Sequence, residues 1–519
     1  MSMSERFKSK SGFVFASIGA AVGLGNALRF PGLCAKYGGG SFLLVYFVAL
    51  VVLGLPLLNA EIALGRAFKG GAPACLSGLS KRKRAAGCVG WASAVNSVLT
   101  AVIYAGLAGW IICTAVTVAP LCMRAHELSR AEISDYFFDN VLSARSDGVI
   151  DGLSLPVLGC IAAAWVVMFF CLRGGAGTLA KAAKFTVIIP VVLLALMAGR
   201  GMLYENSGQA LSALFIPDFS ALKDPALWIT ALGQVFFSLS VAVGVMPVYG
   251  SYLPARTNIF TCSLVIAAAD FLVSVFASAA LFTTLYGCGI EDKIGESGII
   301  TAFAVYPVAI TRLFGDNAAL NAVAGALFYA SLAMMSVQSA VSMLEAFLSP
   351  YAEKSGKNKR TLALKACVIG GVCSVIFATT AAPLAVEISD KFVNFYNVLV
   401  LCLIESLIIA RSGKTDEIRT EINKFAPLLR GKEVGFPKKP FVLSVKFLAP
   451  VTLVAFCAAQ AVTLVLSPPS YPLLHTLVFG VLLSLAVIAC AVFLGARGAE
   501  RAPHPSAYAS TFPQRGEGK

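Results

Sequence analysis

An apolar segment long enough to cross a bilayer breaks in its own middle. Residues 12–31 read GFVFASIGAAVGLGNALRFP, with Gly19, Gly23 and Gly25 near the centre, Asn26 beside them and Arg29 one turn on. Lipid offers no hydrogen bonds, so an unwound helix survives in a membrane only where it is enclosed by protein or lines a cavity. A glycine-interrupted helix with polar side chains at its break marks the substrate and ion site of a secondary transporter.

The rest of the chain supports a membrane setting. Its 519 residues are 58% hydrophobic and 13% charged, with mean hydropathy +0.81, a composition of many apolar runs of about 20 residues. Twelve spans are expected, at 12–33, 41–64, 91–122, 154–172, 179–199, 226–251, 259–288, 321–349, 361–380, 391–410, 442–466 and 472–496. Residues 295–314 carry Pro307 and read as a surface hairpin rather than a thirteenth span. The first run is too long, and Pro31–Cys34 too poor in small residues, for a cleaved signal.

The net charge of +14 fits topology better than nucleic-acid binding. Basic runs follow span 2 (Lys81–Arg84), span 8 (Lys354–Arg360) and span 10, where residues 411–439 hold eight Lys/Arg against four acids. These fall on one side of the membrane, whereas loop 123–152 on the other side has three Arg and six acids. The positive-inside rule then puts both termini in the cytoplasm of a multi-pass protein of the cell inner (plasma) membrane. No basic patch interleaved with aromatics is present, so a nucleic-acid partner is not expected.

A second break is expected five helices later, as in inverted-repeat transporters. Span 6 supplies it: ALGQVFFSLSVAVGVMPVYGSYLP, residues 231–254, has Ser238 and Ser240 at mid-length, then Gly244 and Pro247. The organisation is therefore one membrane-embedded domain, 1–519. Residues 11–200 form the first repeat, 226–412 the second, and 442–496 two added spans. The linker 411–441 and tail 497–519 read as cytoplasmic extensions. Intramembrane acids are few (Glu61, Asp270, Glu345 and Glu405, with Asp390 near a span end), and such groups are functional candidates by default.

GAAVGLGNALRFP, KYGGGSFLLVY and GLPLLNAEIALGR, joined by ALGQVFFSLS and VYGSYLP, closely resemble the neurotransmitter:sodium symporter family, in its bacterial amino-acid branch. The resemblance implies an all-α membrane protein with the LeuT fold, twelve helices in a 5+5 inverted repeat, and cotransport of a small amine or amino acid with sodium. It implies a first sodium site at the Ala21 carbonyl, Asn26, Ser238 and Asp270. It implies a second at the carbonyls of Gly19, Val22 and Met335 with Gln338 and Ser339. Gln338 departs from the Thr or Asp usual there. Asp270 supplies a fixed negative charge where chloride-dependent relatives hold an anion among the counterparts of Tyr46, Gln234, Ser238 and Ser274, so chloride is not expected to be required.

For the substrate, the resemblance implies that the Leu24 and Gly25 amides and the Tyr104 hydroxyl hold a carboxylate, as helix N-termini do. The carbonyls of Ala21, Phe237 and Ser238 and the Ser240 hydroxyl would take the ammonium. Gly23 stands where amine-transporting relatives carry an aspartate, which favours a substrate with its own carboxylate. Thr100, Tyr104, Phe237, Ala242, Val243, Ser339 and Met343 are expected around its side chain. None is charged, so the expected substrate is neutral and hydrophobic. Arg29 and Asp390 resemble one gate; Arg6, Tyr252 and Glu353 are expected at the other.

Three histidines, at His126, His475 and His504, and no metal-ligand cluster argue against an enzyme. GLGN lacks the strand-to-helix setting of a dinucleotide fingerprint. The alternative kept open is a transporter homologue acting as an amino-acid sensor or channel. Oligomeric state has no sequence signature here.

Overall fold

The computed structural model describes residues 7–145, 148–254, 256–289, 301–429, 432–433, 435–466 and 471–496. They are almost wholly helical; the strand pair among them is a two-residue antiparallel hairpin joining Leu428 to Glu433 and Leu429 to Lys432. Among the described residues ten helices are long and apolar enough to cross a bilayer: Gly40–Phe68, Lys83–Arg124, Leu155–Arg173, Gly175–Gly201, Ile259–Gly287, Ala318–Ser355, Lys359–Ala378, Ala382–Arg411, Lys438–Leu466 and Leu473–Ala496. Two further crossings are broken. Lys10–Ala21 and Gly25–Lys36 meet at 50°, and Pro225–Ser238 is followed after a gap by Val245–Ser251. In chain order these are spans 1 to 12, and the breaks fall in spans 1 and 6, where the glycines and Pro247 pointed.

Local chemistry sets where the helices begin. Ser9, Asp224, Asn258, Asn317 and Asn358 accept backbone N–H groups at the starts of spans 1, 6, 7, 8 and 9, each cap being worth about 1 kcal/mol. Spans 3 and 8, with 42 and 38 residues, pack along each other as the central pair. At 1.5 Å per residue each runs roughly 60 Å, well beyond the ~30 Å hydrocarbon layer, so both tilt or project past it. Span 12 presents Leu482, Leu485, Ile488, Val492 and Phe493 outward, a face suited to lipid rather than water.

Span 2 and the second half of span 6 touch backbone to backbone. A Cβ on Gly65 would stand 2.0 Å from the Pro247 carbonyl oxygen, and one on Gly250 would stand 2.3 Å from that of Ile62. Only glycine permits so close an approach at either place.

Two regions differ from the sequence reading. Residues 295–300 lie outside the described residues, but Thr301–Val305 and Tyr306–Ile310 are short helical turns, and residues 302–310 are buried rather than on the surface. The reason is packing at both ends: the Tyr306 hydroxyl donates to the Ala27 carbonyl (3.1 Å), and Phe303 stacks on Phe137 with ring centroids 4.5 Å apart. The linker after span 10 is likewise no loose extension. Its helix Thr415–Asn423 is docked on the end of span 2 by Arg66, whose Nε donates to Glu421 Oε1 at 2.7 Å and whose Nη1 donates to the Thr257 carbonyl at 2.7 Å. Both partners of the ion pair are buried. The tail 497–519 lies outside the described residues.

Removing one partner of a buried ion pair strands the other, at about 3 kcal/mol or more. Glu421→Ala is therefore expected to lower the thermal unfolding midpoint of the detergent-purified protein and to make linker 411–441 cleavable by trypsin. An unchanged midpoint and cleavage pattern would contradict the docking.

Candidate functional site

The first break follows from hydrogen-bond exchange. Span 1 stays helical through Ala21; Val22 is extended (ψ 99°), and its N–H still reaches the Ile18 carbonyl. The next amide, Gly23 N–H, turns instead to Asn26 Oδ1 at 3.1 Å. Among the described residues no backbone N–H reaches the carbonyls of Gly19, Ala21 or Val22. Unwinding has thus freed the carbonyl oxygens that the sequence reading assigns to cations.

The second break is a turn over residues 239–244 in which Ser240, Ala242 and Gly244 all have positive φ (53°, 60° and 78°). For Ser240 and Ala242 this costs roughly 1–2 kcal/mol each and needs outside support. The support is specific. Ser240 Oγ donates to the Ala20 carbonyl at 3.0 Å, Ala242 N–H donates to Glu61 Oε1 at 2.6 Å, and Ser97 Oγ donates to the Val243 carbonyl. Glu405 on span 10 lies within hydrogen-bond reach of Glu61. Ser240, expected to receive an ammonium, thus ties the two breaks to each other with its proton; its oxygen remains an acceptor.

Between the breaks sits Asp270 of span 7, fully buried. Its Oδ1 accepts from Asn26 Nδ2 (2.8 Å) and Ser238 Oγ (2.5 Å), and its Oδ2 accepts from the Tyr46 hydroxyl (2.8 Å). Ser274 Oγ, which donates to the Asp270 carbonyl, lies 2.9 Å from Asn26 Nδ2. Asn26, Ser238 and Asp270, expected at one cation position, are therefore in direct contact. Of the four residues expected around an anion, Tyr46, Ser238 and Ser274 surround the Asp270 group. Gln234 does not: its Nε2 donates to the Gly25 carbonyl at 3.1 Å.

The substrate candidates divide into two groups. Leu24, Gly25, Tyr104 and Phe237 line a cavity of about 380 Å³ that runs past Arg29 and Asp390 to Glu387, Lys391 and Tyr471. At its mouth the Tyr471 hydroxyl donates to Glu387 Oε1 at 2.8 Å. Burial, then this hydrogen bond and the carboxylate's charge, push that phenol above its ordinary pKa and keep it a donor. Ala21, Gly23, Thr100, Ser238, Ser240, Ala242, Val243, Ser339 and Met343 do not line the cavity and are closely packed. Thr100 is not a free pocket hydroxyl, because it donates to Asn394 Oδ1 at 2.6 Å.

On the cavity side, Arg29 Nη1 stands 3.9 Å from Asp390 Oδ2, and its guanidinium lies over Phe237 (5.0 Å) and Phe395 (5.7 Å). Asn394, which sequence reasoning missed, joins this pair to Thr100, since its Nδ2 donates to Asp390 Oδ1 at 2.8 Å. It sits in a π-helical stretch, Asp390–Asn397, and such stretches concentrate at functional sites. No sequence signal distinguishes it from its neighbours.

At the opposite end, Arg6 lies outside the described residues, and Glu353 is exposed near Gly70. The cation found there is Lys359, which the sequence reading counted only as a topology charge. It pairs with the fully buried Glu345 and donates to the Tyr252 hydroxyl at 3.2 Å. Tyr252 in turn donates to Glu345 Oε1 at 2.7 Å, and its hydroxyl lies 2.8 Å from Ser349 Oγ. Phe7 N–H is held by the Tyr252 carbonyl at 3.1 Å, and its ring packs edge-on against Phe13, Tyr249 and Tyr252.

At the second expected cation position, Gly19 and Gln338 are pressed together. A Cβ on Gly19 would meet Gln338 Cγ at 2.9 Å, and one on Gly23 would meet Ser339 Oγ at 2.4 Å. Gln338 Nε2 and Ser339 Oγ are buried without a hydrogen-bond partner.

Comparison with known proteins agrees with this architecture. The profile described as the sodium:neurotransmitter symporter family matches residues 4–497. An uncharacterised sodium-dependent transporter of Methanocaldococcus jannaschii is 30% identical over 82% of this chain and 86% of its own length. The sodium-dependent neutral amino acid transporter B(0)AT2 of Rattus norvegicus is 22% identical over 90% of this chain and 74% of its own. The sodium- and chloride-dependent taurine transporter of Canis lupus familiaris is 30% identical over 60% of this chain, which spans about half (55%) of that relative. The crystal structure of MhsT in complex with L-phenylalanine shares the fold. Its TM-score is 0.74 at 23% identity, and the match covers 88% of this chain and 99% of that one. The fold is the LeuT fold, nearly all helical, with breaks in spans 1 and 6.

The Glu345–Lys359–Tyr252 contact has a measurable signature. Lys359→Met leaves Glu345 buried and unpaired, and should lower the thermal midpoint of the purified protein more than the double variant Lys359→Met/Glu345→Gln does. Equal losses would mean that the pair contributes nothing.

Proposed function

The chain belongs to the sodium:neurotransmitter symporter family, and from that premise we propose that it imports a neutral, hydrophobic amino acid together with sodium by alternating access. Asp270 carries this reading. It is a buried carboxylate that holds Asn26 from the first break and Ser238 from the second, so that charge, sodium-seeking oxygens and both unwound segments coincide. The free Ala21 carbonyl adds a further hard oxygen.

The substrate's carboxylate sits at the Leu24 and Gly25 amides, with Tyr104 above, and can complete the sodium shell because Gly23 brings no acid of its own. Phe237 lines the cavity, the more deeply packed Ala242, Val243 and Met343 are apolar, and none of the four is charged, so a Lys- or Glu-type side chain placed among them would be buried unpaired. A neutral-amino-acid transporter among the relatives and L-phenylalanine bound to MhsT support the same class. Arg29 and Asp390 are the gate on the outer side; Lys359, Glu345 and Tyr252 seal the cytoplasmic side, where the basic loops keep both termini. The chain divides into the inverted repeats 11–200 and 226–412.

Asp270 also leads to chloride independence. Its carboxylate already lies against Tyr46 and Ser238, so the negative charge that balances sodium is fixed in the chain. Uptake of a neutral amino acid into proteoliposomes is expected to need an inward sodium gradient and to be undiminished when gluconate replaces chloride; collapse in gluconate would overturn the chloride reading. Sodium-independent flux would favour a channel, and saturable binding with no flux a sensor. Asp270→Ser should reduce uptake in gluconate at least tenfold, equivalent to about 1.4 kcal/mol.

A further inference from the structure

We propose that the Gln338 carboxamide takes the place of a second cation, so that this chain carries one sodium ion per substrate. The proposal rests on the sodium-symport reading above. It concerns the contact of span 8 with the break in span 1.

On span 1 the Gly19 carbonyl receives no backbone N–H because Gly23 N–H is turned to Asn26 Oδ1, and the Val22 carbonyl receives none because Asn26 N–H reaches the Gly23 carbonyl instead. On span 8 two consecutive side chains face this segment. Gln338 and Ser339 are each only 2% exposed, and Gln338 Nε2 and Ser339 Oγ have no hydrogen-bond partner. The carboxamide reaches the break itself: a Cβ on Gly19 would lie 2.9 Å from Gln338 Cγ and 3.4 Å from both Cδ and Nε2. Acceptors in want of donors thus adjoin a buried donor in want of acceptors.

The chemistry separates the two possible occupants. A carboxamide nitrogen carries two N–H groups and no lone pair for a cation. It can therefore serve two carbonyl oxygens, and it is this nitrogen, not the amide oxygen, that stands with Cγ and Cδ as the three atoms nearest a Cβ on Gly19. Sodium needs oxygens alone; an N–H turned into its shell presents the wrong end of a dipole. A hydroxyl-bearing residue at 338 would be shorter, would leave the space beside Gly19 open and would offer an oxygen. At the Asp270 position Asn26 also turns its Nδ2 inward, but there the full charge of a carboxylate stands beside the Ser238 hydroxyl, a charge that neither Gln338 nor Ser339 brings.

Direct counting tests this. Purified protein in lipid nanodiscs is titrated with ²²Na⁺ at saturating neutral amino acid, and bound sodium is counted per protein. One ion is expected for the wild type, with a Hill coefficient near one. Q338T, which replaces the amide with a hydroxyl, is expected to bind two ions, with the Hill coefficient rising towards two. A wild type that binds two ions overturns the proposal. A wild type and Q338T that each bind one remove Gln338 as the cause, and overturn it equally. Should Q338T fail to fold, Q338S makes the same exchange with a smaller side chain, and the wild-type count decides by itself. A protein that transports yet binds two ions keeps the function proposed above. One that binds no sodium loses both.

Discussion

A buried carboxylate joins four spans. Asp270 belongs to span 7, and its two oxygens are held by Asn26 in the first break, Ser238 at the second and Tyr46 of span 2. In water each bond would be worth about 1 kcal/mol net; inside a bilayer the alternative is an unsatisfied polar group, which is far more expensive. The unwound segments are tolerated because they satisfy one another. Asn26 replaces a helical acceptor for Gly23, Ser240 serves the Ala20 carbonyl, and Glu61 takes the Ala242 amide. None of these bonds is local in sequence except the first. The breaks and the bundle around them must form together.

The two ends of the molecule are built differently. On the Arg29 side, cation and acid stand 3.9 Å apart, both partly exposed, above a cavity of about 380 Å³. At the other end Glu345 is fully buried, Lys359 and Tyr252 are bonded to it, and Phe7, Tyr249 and Tyr252 fill the space with edge-on rings. The first arrangement is separable by water and the second is not, short of exposing a buried charge. The structure is thus open towards Arg29 and sealed at Lys359.

Much of this was legible from residues alone. Glycine and proline located both breaks, because they are the residues that lipid-buried helices tolerate only with outside help, and hydropathy gave the twelve crossings. Asn26, Ser238 and Asp270 are 212 and 32 residues apart along the chain; only a motif resemblance brought them together beforehand. Lys359 stayed hidden because it sits in a basic run that topology already explains. Asn394 stayed hidden because its neighbours Asp390 and Thr100 each had a simpler reading. Residues 301–310 and the helix Thr415–Asn423 differ from the sequence reading for one reason: both are short and dock through contacts distant in sequence, Tyr306 and Phe303 for the first and Arg66 to Glu421 for the second. Local pattern does not record such contacts.

Gly65 and Gly250 carry a mechanical consequence. Their backbones lie so close to Pro247 and Ile62 that span 2 and the second half of span 6 have no room to slide past each other. The first half of span 6, Pro225–Ser238, meets span 2 through side chains instead: a Cβ on Gly54 would stand 2.6 Å from Val235 Cγ1. Any relative rotation of the two halves is therefore confined to the six residues 239–244, three of which already hold positive φ. The turn that looks like an interruption of a helix is a joint. Its lever arm on one side is not a single helix but a welded pair.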